Sequence, residues 1–161
     1  MLRFSLLKNF YRNFGKGRLF ELKGNLPLLK IPEFNCTFAN KFLVMYKISK
    51  QFSFSAAHTL DYLPADHPCA RLHGHNYVIT VHLKSETLDK YGFVKDYKAL
   101  KTVKKFIDET LDHRYLNDCI PEHPTSENIA RFLYDQFKSE IPELYAVEVS
   151  ETPQTSCIYE P

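Results

Sequence analysis

Two stretches of this chain alternate apolar and polar residues with a period of two, and they constrain the fold more than any other feature of the sequence. The first covers residues 46–54 and the second begins at His73. Because successive side chains of a β-strand point to opposite faces of the sheet, each stretch predicts a half-buried strand. The shared face carries Phe52, Phe54, Ala56 and His58 in the first strand and His73, His75, Tyr77, Ile79 and Val81 in the second.

The remainder of the chain predicts two helices and further strands. A short return strand is expected at residues 92–94, and Asp96 then has the position of a helix N-cap, with apolar residues at helical spacing up to Leu111. Residues 124–127 mark the start of a second helix. The two strands that finish the chain comprise residues 156–159 and, before them, a stretch whose shared face carries Tyr145, Val147, Val149 and Glu151. The order β-β-α-α-β-β predicts an α+β fold with an antiparallel sheet.

Composition and cysteine spacing exclude several classes of protein. The 161 residues are 44% hydrophobic and 25% charged, as in a single soluble globular domain. No stretch approaches the roughly 18 consecutive apolar residues of a membrane span, so no integral membrane contact is expected. The cysteines are widely spaced and form no C-x-x-C pair; they are Cys36, Cys69, Cys119 and Cys157. A zinc ribbon or a dense disulfide framework is therefore not expected. We expect reduced thiols and a location in the cytoplasm.

The charge is divided unevenly along the chain. Residues 1–44 hold 8 Lys and Arg against 2 acidic residues, whereas residues 45–161 hold 13 against 17 and contain all 7 histidines. We expect residues 1–44 to be a basic extension outside the domain, either a mis-assigned start or a disordered tail, with organellar targeting as the alternative. The domain, residues 45–161, is acidic, so the net charge of +2 does not indicate a nucleic-acid partner.

The sequence His73-Gly74-His75 is a candidate metal site. On a strand both imidazoles project to one side, roughly 6.5–7 Å apart at the backbone, so both can bind one ion. His58 is the natural third ligand because it ends a strand on the inward-facing parity, and three neutral imidazoles leave an open position, as in catalytic zinc sites. Taken alone, the H-x-H pair could also be two ordinary polar residues of a strand. Surface positions are expected for the remaining histidines of interest, His67, His82 and His123.

Three further positions carry candidate chemistry. Cys69 lies four residues before His73, and a nearby cation would favour its thiolate as a base or nucleophile; a buried small hydrophobe is the alternative. Asp112 precedes His113 just past the first helix, where a carboxylate that orients a histidine gives an acid/base, although helix capping alone explains the pair. Glu151 continues an apolar face, where a carboxylate needs a partner such as the N–H groups of a ligand. An exposed strand end is the alternative for Glu151.

These residues belong to longer stretches that together resemble a known family. The stretches are FSAAH (54–58), CARLHGHNY (69–77), LDHRYLND (111–118), PTSEN (124–128), ET (151–152) and CIY (157–159). They resemble the 6-pyruvoyl-tetrahydropterin synthase family, and within it the bacterial-type 6-carboxy-tetrahydropterin synthases of queuosine biosynthesis. The short gap between Cys69 and His73 favours this carboxy branch. The resemblance covers residues 46–160, and the basic extension matches nothing.

The resemblance implies a role for each candidate residue. The implied ligands of one Zn²⁺ per subunit are His58, His73 and His75. The implied catalytic residues are Cys69 as general base and the pair Asp112 and His113 as the second acid/base. The implied substrate-binding residues are Glu151, at the aminopyrimidine edge of a pterin, and Thr125, Ser126 and Glu127, close to its ring.

The resemblance also implies a fold, an assembly and a reaction. The fold is the tunnelling fold, a four-stranded antiparallel sheet with two helices on one face, which forms homo-oligomeric barrels with active sites at subunit interfaces. The reaction converts 7,8-dihydroneopterin triphosphate to 6-carboxy-5,6,7,8-tetrahydropterin, acetaldehyde and triphosphate. The alternatives are the pyruvoyl branch, in which only triphosphate leaves, and a zinc-binding scaffold without catalysis. A generic zinc hydrolase is disfavoured because the chain has no H-E-x-x-H motif.

Overall fold

Four antiparallel strands form one sheet, in the order β1-β2-β3-β4. The computed structural model describes residues 44–161, so all of the basic stretch before Val44 lies outside the described residues. The strands are β1 (Tyr46–His58), β2 (His73–Ser85), β3 (Leu144–Thr152) and β4 (Thr155–Tyr159). Because neighbours in sequence are neighbours in the sheet, the four strands form a meander, interrupted between β2 and β3 by the helices.

Two helices occupy the connection between β2 and β3. Helix α1 (Lys101–Phe106) is preceded by a 3-10 turn, Tyr97–Leu100, and followed by a π-helical turn, Ile107–Leu111. Helix α2 covers Ser126–Phe137. The predicted α+β fold with the order β-β-α-α-β-β is therefore confirmed, and the predicted first helix consists of three consecutive helical turns of different pitch.

Side chains cap the 3-10 turn before α1 and the start of α2; the sequence predicts Asp96 as the first cap and places the start of the second helix within residues 124–127. The Asp96 carboxylate accepts the backbone N–H of Lys98 at 2.8 Å, and the Thr125 hydroxyl accepts that of Asn128 at 3.3 Å. Each bond satisfies a donor that the first helical turn leaves free, which fixes where the helix begins. Thr125 thereby fixes the position of the residues before α2, and these reach the candidate site.

Both helices pack on one face of the sheet. The core contains the inward-facing residues of the strands together with the apolar stripes of the helices, and its fully buried members include Ile79, Leu111, Ile129, Leu133 and Val149. The alternation predicted for β1 and β2 is confirmed, since Phe52 and Phe54 lie in this core with Tyr77. The core face extends beyond these residues to His58 and its neighbours at one end of the sheet.

Two local predictions are wrong. Residues 92–94 form no return strand. The Asp89 carboxylate accepts the N–H groups of Tyr91 and Phe93, and Gly92 has a φ of 87°, so this segment closes on itself as a loop. Tyr145 does not share the face of Val147, because a β-bulge pairs His82 with Ala146 and the next residue, Leu83, with Leu144.

The bulge moves Tyr145 to the outer face of the sheet. There its ring lies beneath the ammonium groups of Lys84 and Lys47, 4.6 Å and 5.1 Å from the ring centroid. An extra residue in one strand breaks the alternation between the residues on its two sides. Strict alternation therefore misplaces this side chain, while the prediction for Val147 and Val149 holds.

Candidate active site

The pairing of β1 with β2 brings three histidines together at one end of the core face. His58 lies directly opposite His73, and Ala56 lies opposite His75. One ligand nitrogen from each of His58, His73 and His75 lies within 4.8 Å of the other two, and this is the only such cluster of His, Cys, Asp or Glu among residues 44–161. His58 is 2% exposed and the other two are half-buried. Three imidazole nitrogens arranged in this way could bind one metal ion and leave one side of it accessible.

Backbone carbonyl groups fix which nitrogen two of these rings present. Nδ1 of His58 lies 2.8 Å from the carbonyl oxygen of Pro124, and Nδ1 of His73 lies 2.7 Å from that of Arg71. A carbonyl oxygen only accepts, so each Nδ1 carries a proton and donates it, and in the neutral ring each Nε2 is left with a lone pair. These two Nε2 atoms lie 3.0 Å apart. Two lone pairs at this distance repel each other unless a cation lies between them, so the donor set fits a bound metal ion.

The ends of β1 and β2 are held closely at this point. A Cβ atom on Gly74 would lie 3.0 Å from the carbonyl oxygen of Ala56, so the strands approach too closely for a larger residue. Beyond His58, the Asn117 side chain accepts the N–H of Thr59 at 3.0 Å and donates to its carbonyl oxygen at 2.9 Å. The carboxamide thus satisfies both backbone groups of Thr59 as a neighbouring strand would. These contacts fix the backbone that carries His58.

Burial and a nearby carboxylate set the electrostatics of the site. Burial lowers the pKa of His58, against the effect of its hydrogen bond to Pro124, so the ring is neutral as a metal ligand must be. Burial also raises the pKa of Tyr77, and the negative charge of Glu151 raises it further. The Tyr77 hydroxyl is therefore protonated, and among the described residues it has no hydrogen-bond partner.

Glu151 reaches this end of the sheet, as its parity predicts. It is half-buried near the end of β3, following the buried Val149, and its charge acts on both His58 and Tyr77. The residues before and at the start of α2 lie next to the same cluster, since the carbonyl of Pro124 is the acceptor for His58. Thr125, Ser126 and Glu127 follow directly, with Glu127 exposed and the other two half-buried.

Cys69 lies in the loop between β1 and β2. It is a free, half-buried thiol, and its carbonyl oxygen accepts the N–H of Leu60 at 2.9 Å. This bond ties the loop to the chain just past His58. The thiol is not among the nitrogen and sulfur atoms that lie within 4.8 Å of one another in the histidine cluster. The structure therefore separates Cys69 from the metal-ligand set.

Asp112 and His113 lie on the free edge of β1. The Asp112 carboxylate accepts the N–H of Ser55 at 2.9 Å with one oxygen and lies 2.9 Å from Nδ1 of His113 with the other. The bond from Ser55, with a smaller contribution from His113, holds the pKa of Asp112 below its ordinary value. His113 has a φ of 56° and its N–H donates to the carbonyl of Ser55 at 2.7 Å.

The His113 ring is directed away from the core and is 81% exposed. It lines an open cavity of about 500 Å³ together with Ser55, Asn76 and Arg114. Ser55 and Asn76 share the outer face of the sheet, where the Ser55 hydroxyl donates to the Asn76 side chain at 2.7 Å. The pair Asp112 and His113 therefore does not join the histidine cluster of its own chain.

The other two cysteines of residues 44–161, Cys119 and Cys157, lie apart from the histidine cluster. Burial raises the pKa of the Cys119 thiol, and burial together with the charge of Glu127 raises that of Cys157. Both are half-buried thiols that are protonated at neutral pH. Cys36 lies outside the described residues.

Some residues that build this site are absent from the sequence-based prediction. Asn117 has no assigned role in the sequence analysis, and its place in the stretch LDHRYLND is the one signal that could have indicated it. The Pro124 and Arg71 carbonyl groups give no signal, because every residue has a carbonyl and only the fold decides which one faces a ring nitrogen. His67 and His123 are exposed, as expected, and His82 is half-buried on the opposite face.

The fold and the site together define an α+β protein with a candidate three-histidine metal centre at the end of an antiparallel sheet. The family model described as 6-pyruvoyl tetrahydropterin synthase matches residues 47–161. The chain belongs to this family of tetrahydropterin synthases.

Two bacterial relatives are similar over most of the described residues. The 6-carboxy-5,6,7,8-tetrahydropterin synthase of Synechocystis is 38% identical over 122 residues, which cover 71% of this chain and 93% of that protein. The enzyme of the same name from Haemophilus influenzae is 32% identical over 142 residues, covering 72% and 99%.

A solved structure supports the same fold. The structure of Caenorhabditis elegans 6-pyruvoyl tetrahydropterin synthase matches with a TM-score of 0.65 and 31% identity, over 74% of this chain and 97% of that one. The tunnelling fold implied by the sequence motifs is therefore confirmed. Within residues 44–161, neither helix has the length and apolar character needed to cross a membrane.

Proposed function

We propose that this protein is a zinc-dependent lyase that converts 7,8-dihydroneopterin triphosphate to 6-carboxy-5,6,7,8-tetrahydropterin, acetaldehyde and triphosphate. The proposed setting is queuosine (7-deazaguanine) biosynthesis in the cytoplasm. The similarity to two 6-carboxy-5,6,7,8-tetrahydropterin synthases supports the carboxy reaction over the pyruvoyl one. The observation that best supports a metal-dependent reaction is the distance of 3.0 Å between the unprotonated Nε2 atoms of His58 and His73.

Zn²⁺ is the ion that best suits three neutral imidazoles with one side open. His58, His73 and His75 would hold it, and the bound ion supplies Lewis acidity that eases removal of a proton beside a substrate hydroxyl. Their rings are oriented before any ion binds, because the Pro124 and Arg71 carbonyl groups fix the tautomers of two of them. Such oriented rings bind a metal more tightly than free ones.

Cys69 is proposed as the general base that moves protons on the substrate side chain. Two features support this role: the thiol is half-buried, so that a ligand can reach it, and its backbone is tied to Leu60 next to the histidine cluster. A thiolate near a metal cation is stabilised by the positive charge, which matches the need for a base at neutral pH.

Asp112 and His113 are proposed as the second acid/base. The carboxylate is ionised and lies against Nδ1 of the ring, which orients the imidazole and leaves Nε2 free to exchange a proton. Both side chains lie on an edge of the sheet, and the ring is open to solvent. This position suits a group that completes the site of a neighbouring subunit.

Glu151 is proposed to bind the aminopyrimidine edge of the pterin. Its carboxylate lies on the core face near His58, where two parallel acceptors can receive the N–H groups of a flat heterocycle. Thr125, Ser126 and Glu127 lie at the N-terminus of α2, beside the acceptor of His58, and are proposed to lie close to the ring.

We therefore propose a homo-oligomer with active sites at its subunit interfaces. Within residues 44–161 the edge of β4 and most of the edge of β1 are unpaired, and closing several copies into a barrel would pair them. Asp112 and His113 lie apart from the histidine cluster of their own chain, so in an oligomer they could complete the active site of a neighbouring subunit. Elution as a monomer from a size-exclusion column at micromolar concentration would count against this assembly.

One incubation separates the alternatives. The purified protein is mixed with 7,8-dihydroneopterin triphosphate in the presence of Zn²⁺, and acetaldehyde, triphosphate and pterin products are measured. Acetaldehyde in equal amount to a carboxypterin product supports the proposal. Triphosphate without acetaldehyde assigns the protein to the pyruvoyl branch, and an unchanged substrate leaves a zinc-binding scaffold.

A further inference from the structure

His67 is an exposed loop histidine, yet its side chain holds the backbone of Cys69. Its Nδ1 atom accepts the N–H of Cys69 at 3.1 Å and thereby caps the 3-10 turn Pro68–Ala70. A ring nitrogen accepts only with a lone pair, so the proton of the neutral ring is on Nε2. Among side chains, this acceptor is usually an oxygen of Asp, Asn, Ser or Thr, which makes the imidazole unusual here.

The turn that carries Cys69 is fixed on both sides of this residue. Its N–H is held by His67, and its carbonyl oxygen accepts the N–H of Leu60 at 2.9 Å. His67 is itself fixed, since its N–H donates to the carbonyl of Pro64 at 2.8 Å and its carbonyl accepts the N–H of Ala70 at 3.0 Å. Of these bonds, only the cap on the Cys69 N–H comes from a side chain.

We infer that His67 is a positioning residue for Cys69, an inference that rests on the proposed function, in which Cys69 is the base. The cap fixes the start of the turn, and the bond to Leu60 fixes the turn against the end of β1, two residues past His58. Together they determine where the thiol lies relative to the histidine cluster. A base acts only from a well-defined position, and small displacements are costly to the rate.

The experiment compares three variants of the full-length protein loaded with zinc. His67→Ala removes the cap, and His67→Asn restores it, because an Asn oxygen accepts the N–H two residues ahead in the same way. Asp89→Ala is the matched control, since it removes an equally exposed cap from the N–H groups of Tyr91 and Phe93 in another loop. Zinc content and circular dichroism verify that each variant is folded and loaded.

Two quantities are measured. The first is amide hydrogen exchange at Cys69, resolved by fragmentation mass spectrometry; the second is kcat and KM for 7,8-dihydroneopterin triphosphate. We expect His67→Ala to speed exchange at Cys69 and to lower kcat, each by roughly fivefold, the factor that corresponds to one exposed capping bond. KM and zinc content stay unchanged, His67→Asn returns both quantities towards the parent values, and Asp89→Ala changes neither.

Each contrary result overturns a separate statement. Unchanged exchange at Cys69 in His67→Ala, or no recovery in His67→Asn, shows that the ring is not the cap in solution. Faster exchange with an unchanged kcat shows that the cap exists without positioning the base. If the parent protein does not turn over the substrate at all, the proposed function fails, and the exchange rates still decide whether His67 holds Cys69.

Discussion

The Nε2 atoms of His58 and His73 lie 3.0 Å apart, with the Nδ1 proton of each ring donated to a backbone carbonyl. When both rings are neutral, neither can donate to the other without giving up its own carbonyl. The pair is therefore arranged for a cation and not for a mutual hydrogen bond. The carbonyl groups come from Arg71, two residues away, and from Pro124, 66 residues away in the chain.

The first prediction concerns metal binding. We expect His73→Ala to lose bound zinc, and His82→Ala, a change on the same strand but on the opposite face, to retain it. Zinc at about a hundredfold excess over its dissociation constant adds about 2.7 kcal/mol to the free energy of unfolding. Metal analysis and thermal unfolding with and without a chelator measure both effects. Equal zinc content in the two variants would show that the histidine cluster is not the metal site.

The second prediction separates the thiol from the metal site. We expect Cys69→Ala to lower kcat by roughly 10²–10⁴-fold, the usual contribution of a general base, while zinc content stays at the parent level. Cys119→Ala is the control, because burial keeps that thiol protonated and it donates to the carbonyl of Tyr115. Steady-state kinetics measure kcat, and metal analysis measures the zinc content of each variant. Loss of the metal from Cys69→Ala would show that the proposed division of roles is wrong.

The third prediction concerns acid stability. The hydrogen bond from Ser55, followed by the contact with His113, lowers the pKa of Asp112 below its ordinary value of 3.8. A depressed carboxyl pKa stabilises the fold above the ordinary value, and this stabilisation is lost as the pH falls below 3.8 through the folded-state pKa.

We therefore expect the stability difference between the parent and Asp112→Asn to be constant at neutral pH and to shrink as the pH falls below 3.8. Urea unfolding curves at a series of pH values measure it. Glu86→Gln, at an exposed position, is the control and should show no such change. A stability difference that grew towards acid pH would mean that folding raises the pKa of Asp112 instead of lowering it.

The fourth prediction concerns the boundary of the domain. The family model begins to match at residue 47, and β1 begins at Tyr46. We expect a chain shortened to begin at Met45 to keep zinc binding and turnover within about twofold of the full-length protein, because every residue of the proposed site lies after this point. Parallel assays of the two chains measure this. Lost activity in the shortened chain would place part of the function in the basic extension.

Much of the candidate site was predictable because strand parity is local. Successive side chains alternate by covalent geometry alone, so the sequence places His73 and His75 on one face and Glu151 on the face of Val149. The same rule failed at Tyr145, because a bulge depends on how β2 pairs with β3 and leaves no mark in the alternation. The separate expectation of a strand at residues 92–94 failed, because the Asp89 carboxylate accepts the N–H groups of Tyr91 and Phe93 within a loop.

The sequence by itself determined the order of elements, the start of the first helix at Asp96 and of the second within residues 124–127, and the shared face of the histidines. Each of these depends on residues within a few positions of one another. Only the tertiary structure decided that the Pro124 carbonyl fixes the tautomer of His58 and that Asp112 lies against the edge of β1. These contacts join residues 66 and 57 positions apart, so they exist only after the core has packed and brought the two segments together.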